Sequence, residues 1–76
     1  MKTITILLDT IEKVRNFVSI ISLVDGEFDI VSERYVIDAK SIMGIFSLDL
    51  SKPLQLNIHN PEALEKSKAD FSQFVV

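Results

Sequence analysis

Thr3-Ile4-Thr5-Ile6-Leu7-Leu8 opens the chain in alternation, with Ile4, Ile6 and Leu8 on one side. A period of two marks a half-buried strand, because successive side chains point to opposite faces. The period then lengthens: Ile11, Val14, Val18 and Ile21 recur at intervals of three and four, the stripe of an amphipathic helix. Asp9 and Glu12 precede it with capping-box spacing. The β-branched Val14, Val18, Ile20, Ile21 and Val24 are weak helix formers, so residues 17–21 also read as a strand. The distance from the cap to Asp25-Gly26 is long for a strand and favours the helix.

Two short alternating runs follow. Phe28, Ile30 and Ser32 face away from Asp29 and Val31, and Tyr35, Ile37 and Ala39 face away from Val36 and Asp38. Ser32, Glu33 and Arg34 form the expected hairpin turn between them. After a break at Lys52-Pro53, Leu54, Leu56 and Ile58 alternate with Gln55, Asn57 and His59, the cleanest strand pattern in the chain. Asn60-Pro61-Glu62 starts a helix with a cap, a proline at the first helical position and an acid in the first turn. Its expected inner face is Ala63, Leu64, Ser67, Phe71, Phe74 and Val75.

Between the hairpin and the last strand lies Lys40-Ser41-Ile42-Met43-Gly44-Ile45-Phe46-Ser47-Leu48. Ser41 is placed to cap a short helix. Two helical turns cannot bury all of Ile42, Met43, Ile45, Phe46 and Leu48, so part of the set is expected to face water as a docking patch. Ile45 and Leu48 suffice for the inward face. That leaves Ile42, Met43 and Phe46 for a partner, although all three also suit a core.

The order β-α-β-β-α-β-α predicts an α+β domain: one four-stranded, antiparallel-rich sheet with three helices on one face. At 76 residues the chain is read as a single domain, residues 1–76. The hydrophobic fraction of 47% supports one core, and the absence of cysteine removes disulfides and thiolate metal sites and suits the cytoplasm. A formal charge of -3 argues against nucleic-acid binding. No apolar run reaches the roughly 20 residues of a membrane span. No cofactor or metal site is expected.

The order of elements, the length and above all residues 40–50 resemble the histidine-containing phosphocarrier protein (HPr) of the bacterial sugar phosphotransferase system. The resemblance implies the HPr-like open-faced β-sandwich. It also implies that Ser41 matches the serine phosphorylated by the HPr kinase/phosphorylase. Lys40, Ile42, Met43 and Phe46 match the surface that meets that kinase, enzyme I or a transcription regulator. Phe46 stands where the family often carries methionine.

The family transfers phosphate on a histidine within Gly-aliphatic-His-Ala-Arg-Pro at the start of the first helix. Free N–H groups, the macrodipole and the arginine hold the phosphate there. Counting back from Ser41 places Leu8, Asp9, Thr10, Ile11, Glu12 and Lys13 on those positions, with Thr10 in the histidine's place. None of the motif remains, and Asp9 and Glu12 put negative charge where a phosphate would sit. The lone histidine, His59, ends the last strand. In the family's sheet that is the opposite pole from the first helix's start.

The resulting expectation is a non-enzymatic, cytoplasmic regulatory or adaptor variant without phosphoryl transfer. It binds partner proteins through the Ser41 helix, with phosphorylation of Ser41 as its switch. Two alternatives stand beside it: an active phosphocarrier using His59 or Asp9 as a non-standard acceptor, and a purely structural interaction module.

Overall fold

The computed structural model describes residues 2–33, 35–67 and 69–76. Four strands, β1 (Lys2–Ile6), β2 (Phe28–Ser32), β3 (Tyr35–Asp38) and β4 (Leu54–Ile58), form one sheet in the order β1-β4-β2-β3. Every pairing is antiparallel. Ile4, Leu56, Ile30 and Ile37 stand in register across the whole sheet and line its covered face. Thr3, Asn57, Asp29 and Asp38 make the equivalent row on the open face. Alternation in the chain has become two chemically distinct surfaces, one dry and one wet.

The dry face is covered by α1 (Ile11–Ile21), α2 (Ile42–Phe46), α3 (Pro61–Ser67) and a closing 3-10 turn, Ser72–Phe74. Val14, Phe17 and Ile21 carry α1 into the core. Phe17 meets the Phe74 ring edge-on at 5.5 Å and the Phe71 ring at 5.7 Å, fixing the last residues of the chain against the first helix. Burying each such ring contributes roughly 1.5–3 kcal/mol, so this trio anchors one flank of the domain. The helical stripe is therefore rotated from the one expected. Ile11 is 62% exposed, and Phe17 is fully buried in the central place, packed against Phe71 and Phe74.

The start of α1 also differs from expectation. Asp9 and Glu12 do not form the capping box; Thr10 is the cap, extended at φ -133 and ψ 155, and its hydroxyl accepts the Lys13 amide at 3.0 Å. Thr10 is one residue closer than Asp9 to the donor an N-cap must satisfy. At the other end, Gly26 turns the chain into β2 at φ 114, a conformation that a Cβ would strain.

In the hairpin, Ser32 pairs with Tyr35, and Glu33 holds the left-handed conformation at φ 53. Arg34, part of the expected turn, lies outside the described residues. The C-terminal helix is shorter than its apolar spacing implied. Asn60 caps it, its side-chain oxygen accepting the Ala63 amide at 3.2 Å. Ser67 ends it: its hydroxyl donates to the Leu64 carbonyl at 2.6 Å and accepts the Ala69 amide at 3.2 Å. Phe71 and Phe74 reach the core from the segment beyond, and Val75 bridges to Ile6 on the outer side of β1. No helix among the described residues is long and apolar enough to cross a membrane.

Candidate functional site

The helix α2 is a five-residue element whose conformation is set at its ends. Ser41 adopts φ -93 and ψ 100, and its hydroxyl accepts the Gly44 amide at 3.2 Å, satisfying an amide the helix cannot. Ser47 closes the other end by donating from its hydroxyl to the Gly44 carbonyl at 2.5 Å. Gly44 leaves room for this: a Cβ there would meet Ser41 Oγ at 3.2 Å and Ile37 Cδ1 at 3.4 Å.

Ile45 is fully buried and pins the helix to the sheet, while Ile42 and Leu48 pack against the core from its margin. Met43 is 77% exposed and Phe46 40% exposed. The apolar set thus divides, with one anchor beneath, two flanking residues and two side chains held out to water. Ile42, expected among the outward residues, is only partly so.

Lys40 is engaged elsewhere. Its Nζ donates to the Val24 carbonyl just past α1 at 2.8 Å and lies 5.8 Å from the centre of the Phe28 ring. Its own amide is held by Asp38 Oδ1 at 2.9 Å. The segment entering α2 is therefore tied to β3 on one side and to the end of α1 on the other.

The start of α1 is built differently. Lys13 Nζ donates to Asp9 Oδ1 at 2.9 Å across one helical turn, and this hydrogen bond, more than the charge itself, holds the Asp9 carboxyl below its usual range. The Thr10 hydroxyl is occupied in capping, and Glu12 stands in the first turn. Lys13, the cation beside the Thr10 cap, is already paired with Asp9. A phosphate arriving there would meet two carboxylates and gain no free guanidinium.

His59 lies at the far end of the sheet. Lys2 pairs with Ile58 and Ile6 with Leu54, so the residue after Ile58 is separated from the α1 end of β1 by about 17 Å of strand. The ring Nε2 is hydrogen-bonded to Asp29 Oδ2 across the open face, the diagonal contact expected from the Asp29–Asn57 pairing. Sequence reasoning missed this pair, since it depends on which strands are neighbours. Lys40, Ser41 and His59 share this pole, because Asp38 pairs with Asp29 one step from Phe28, the partner of Ile58. Thr10 follows the other pole. The two hydroxyl-capped helix starts therefore lie at opposite ends of the domain.

A four-stranded antiparallel sheet in the order β1-β4-β2-β3, with helices on one face, matches a solved structure, that of HPr-C-His from Thermoanaerobacter tengcongensis. The TM-score is 0.71 and the identity 26%, over 90% of this chain and 88% of the other. The fold is the HPr-like open-faced sandwich. No protein-family model matches the chain, and no curated protein matches it. Among the described residues no group of three or more His, Asp or Glu is placed to hold a metal ion.

Proposed function

We propose that this chain is a regulatory or adaptor variant of the HPr-like proteins, docking partner proteins through α2 and switched by phosphorylation of Ser41. The observation that carries the reading is the contrast between two corners of one fold. At α2, a capping serine with an exposed hydroxyl stands beside a projecting Met43 and Phe46. At the start of α1, where the HPr-like pattern needs a histidine and an arginine, the chain has Thr10 and Glu12 beside the Asp9–Lys13 pair. Chemistry that requires a nucleophilic imidazole on a cationic helix start has no support there, whereas docking needs only an apolar surface and an accessible hydroxyl.

The partners that fit are proteins of the phosphotransferase type: an HPr kinase acting on Ser41, and an enzyme I-like or transcription-regulator surface receiving Met43 and Phe46. Lys40 and Ile42 contribute from the patch's edge, Lys40 by fixing the entry to α2 and Ile42 by its exposed portion. Incubation with an HPr kinase and ATP, followed by mass-spectrometric mapping, tests the switch. Phosphate at Ser41 supports it, and an unmodified Ser41 removes it.

One observation favours a second reading. Asp29 Oδ2 holds Nε2 of His59 and so orients the chain's lone imidazole on the open face. This alternative, a carrier working from a non-standard residue, predicts label on His59 or Asp9 from phosphoenolpyruvate and enzyme I.

A further inference from the structure

Lys40 reaches from the entry of α2 to the turn after α1. A cleft of about 300 Å³ is lined by Gly26, Glu27, Phe28, Asp29, Asp38 and Lys40. Lys40 supplies its one cation among those residues, facing three acids. The ammonium does not pair with any of the three at salt-bridge distance; it caps the Val24 carbonyl and rests over Phe28. This is favourable chemistry at the end of a helix, where unpaired carbonyls concentrate negative potential. The strap joins two places distant in sequence: the segment entering α2 and the 22–27 turn, whose Leu23 is 85% exposed.

We propose that Lys40 is a two-position strap that reports the state of Ser41 to the end of α1. With Ser41 unmodified, the ammonium stays on the Val24 carbonyl. A phosphate on Ser41 carries a charge of about -1.5 to -2 and three acceptor oxygens on the neighbouring residue. A charge-assisted hydrogen bond to it outcompetes one to a neutral carbonyl, so the ammonium moves to the phosphate. The turn that follows α1 loses its hydrogen bond at the Val24 carbonyl, and the cleft at Glu27, Asp29 and Asp38 loses its cation. The 22–27 turn loosens, and the placement of the exposed Leu23 comes to depend on the modification. This inference rests on the switch reading above, and it adds where the switch is felt.

The test uses the full chain with phosphoserine installed at position 41 during translation, so its outcome does not depend on any kinase. The Asp25 amide, which follows the Val24 carbonyl, is expected to shift in the nitrogen–proton spectrum. The Leu23 and Val24 amides are expected to exchange about five-fold faster, the effect of losing one hydrogen bond. Lys40→Met is expected to produce the same Asp25 shift without phosphate, and phosphate added to that variant to produce none. The Lys40 ammonium resonance in the unsubstituted chain supplies a readout that needs no variant. An Asp25 amide and Lys40 ammonium unmoved by phosphoserine, or an Asp25 shift that persists fully in Lys40→Met, overturns the strap. Failure of a kinase to modify Ser41 overturns the switch reading instead.

Discussion

Ser41 Oγ accepts the Gly44 amide at 3.2 Å, and a methyl added to Gly44 would stand at the same distance from that oxygen. The hydroxyl proposed for modification is thus also the group that starts the helix. Ser41→Ala is expected to lower stability by about 1 kcal/mol, and Ser41→Asp, itself a good cap with a charge suited to a helix start, to stay within about 0.5 kcal/mol of the parent chain. Urea unfolding of the three proteins checks the order. Equal stability of all three would show that the cap contributes nothing.

Two neighbours on α2 separate packing from docking. Ile45 is fully buried, and Ile45→Ala is expected to cost about 2–5 kcal/mol through lost contacts and the cavity left behind. Met43 projects into water, and Met43→Ser is expected to change stability by less than about 0.5 kcal/mol. Partner binding should follow the opposite order, with Met43→Ser abolishing it in a folded protein. Thermal melts paired with a binding titration check both, and a destabilised Met43→Ser variant would place that side chain in the core.

Much of this arrangement is legible in the chain. The alternation of Leu54, Leu56 and Ile58 gives β4, and Ser41 and Asn60 are read as caps because hydroxyl and amide side chains suit those positions. Errors arise where two residues offer the same chemistry or one spacing fits two structures. Asp9 and Thr10 are both good caps, and only the backbone geometry decides between them. Residues 64, 67, 71, 74 and 75 keep helical spacing, yet Ser67 turns the chain out of α3, and Phe71 and Phe74 return to the core by another route. Contacts of the Lys40 ammonium and of His59 with Asp29 depend on which elements become neighbours, and local pattern carries no trace of that.

The β2–β3 hairpin holds a local cost. Glu33 sits at φ 53, where an L side chain loses about 1–2 kcal/mol that glycine does not. Its ion pair with Lys52, 3.6 Å apart and exposed, returns little. Glu33→Gly is expected to stabilise the domain by about 0.5–1 kcal/mol, measured by the urea midpoint. A loss of stability would mean that the Lys52 contact outweighs the strain.

Acid should weaken the fold through three exposed carboxylates. Asp9 is held below the usual range by Lys13, Asp49 by the hydroxyl and amide of Ser51, and Asp70 by the amide and hydroxyl of Ser72. A lowered folded-state value means these groups contribute fully above the unfolded value of about 3.9, and that the contribution disappears as pH falls through the folded values. The stability gap between the parent chain and a triple variant, Asp9→Asn with Asp49→Asn and Asp70→Asn, is expected to be constant above about pH 5 and to close as pH falls through the lowered folded values. A gap independent of pH would contradict the assignment.

The most direct measurement is phosphoryl transfer itself: the chain incubated with phosphoenolpyruvate and enzyme I, with label sought at Asp9, Thr10 and His59. Absence of label at all three, under conditions that load an ordinary HPr, is the predicted result. An acid-labile phosphate on His59, or a hydroxylamine-sensitive one on Asp9, would contradict the account and make the chain a carrier.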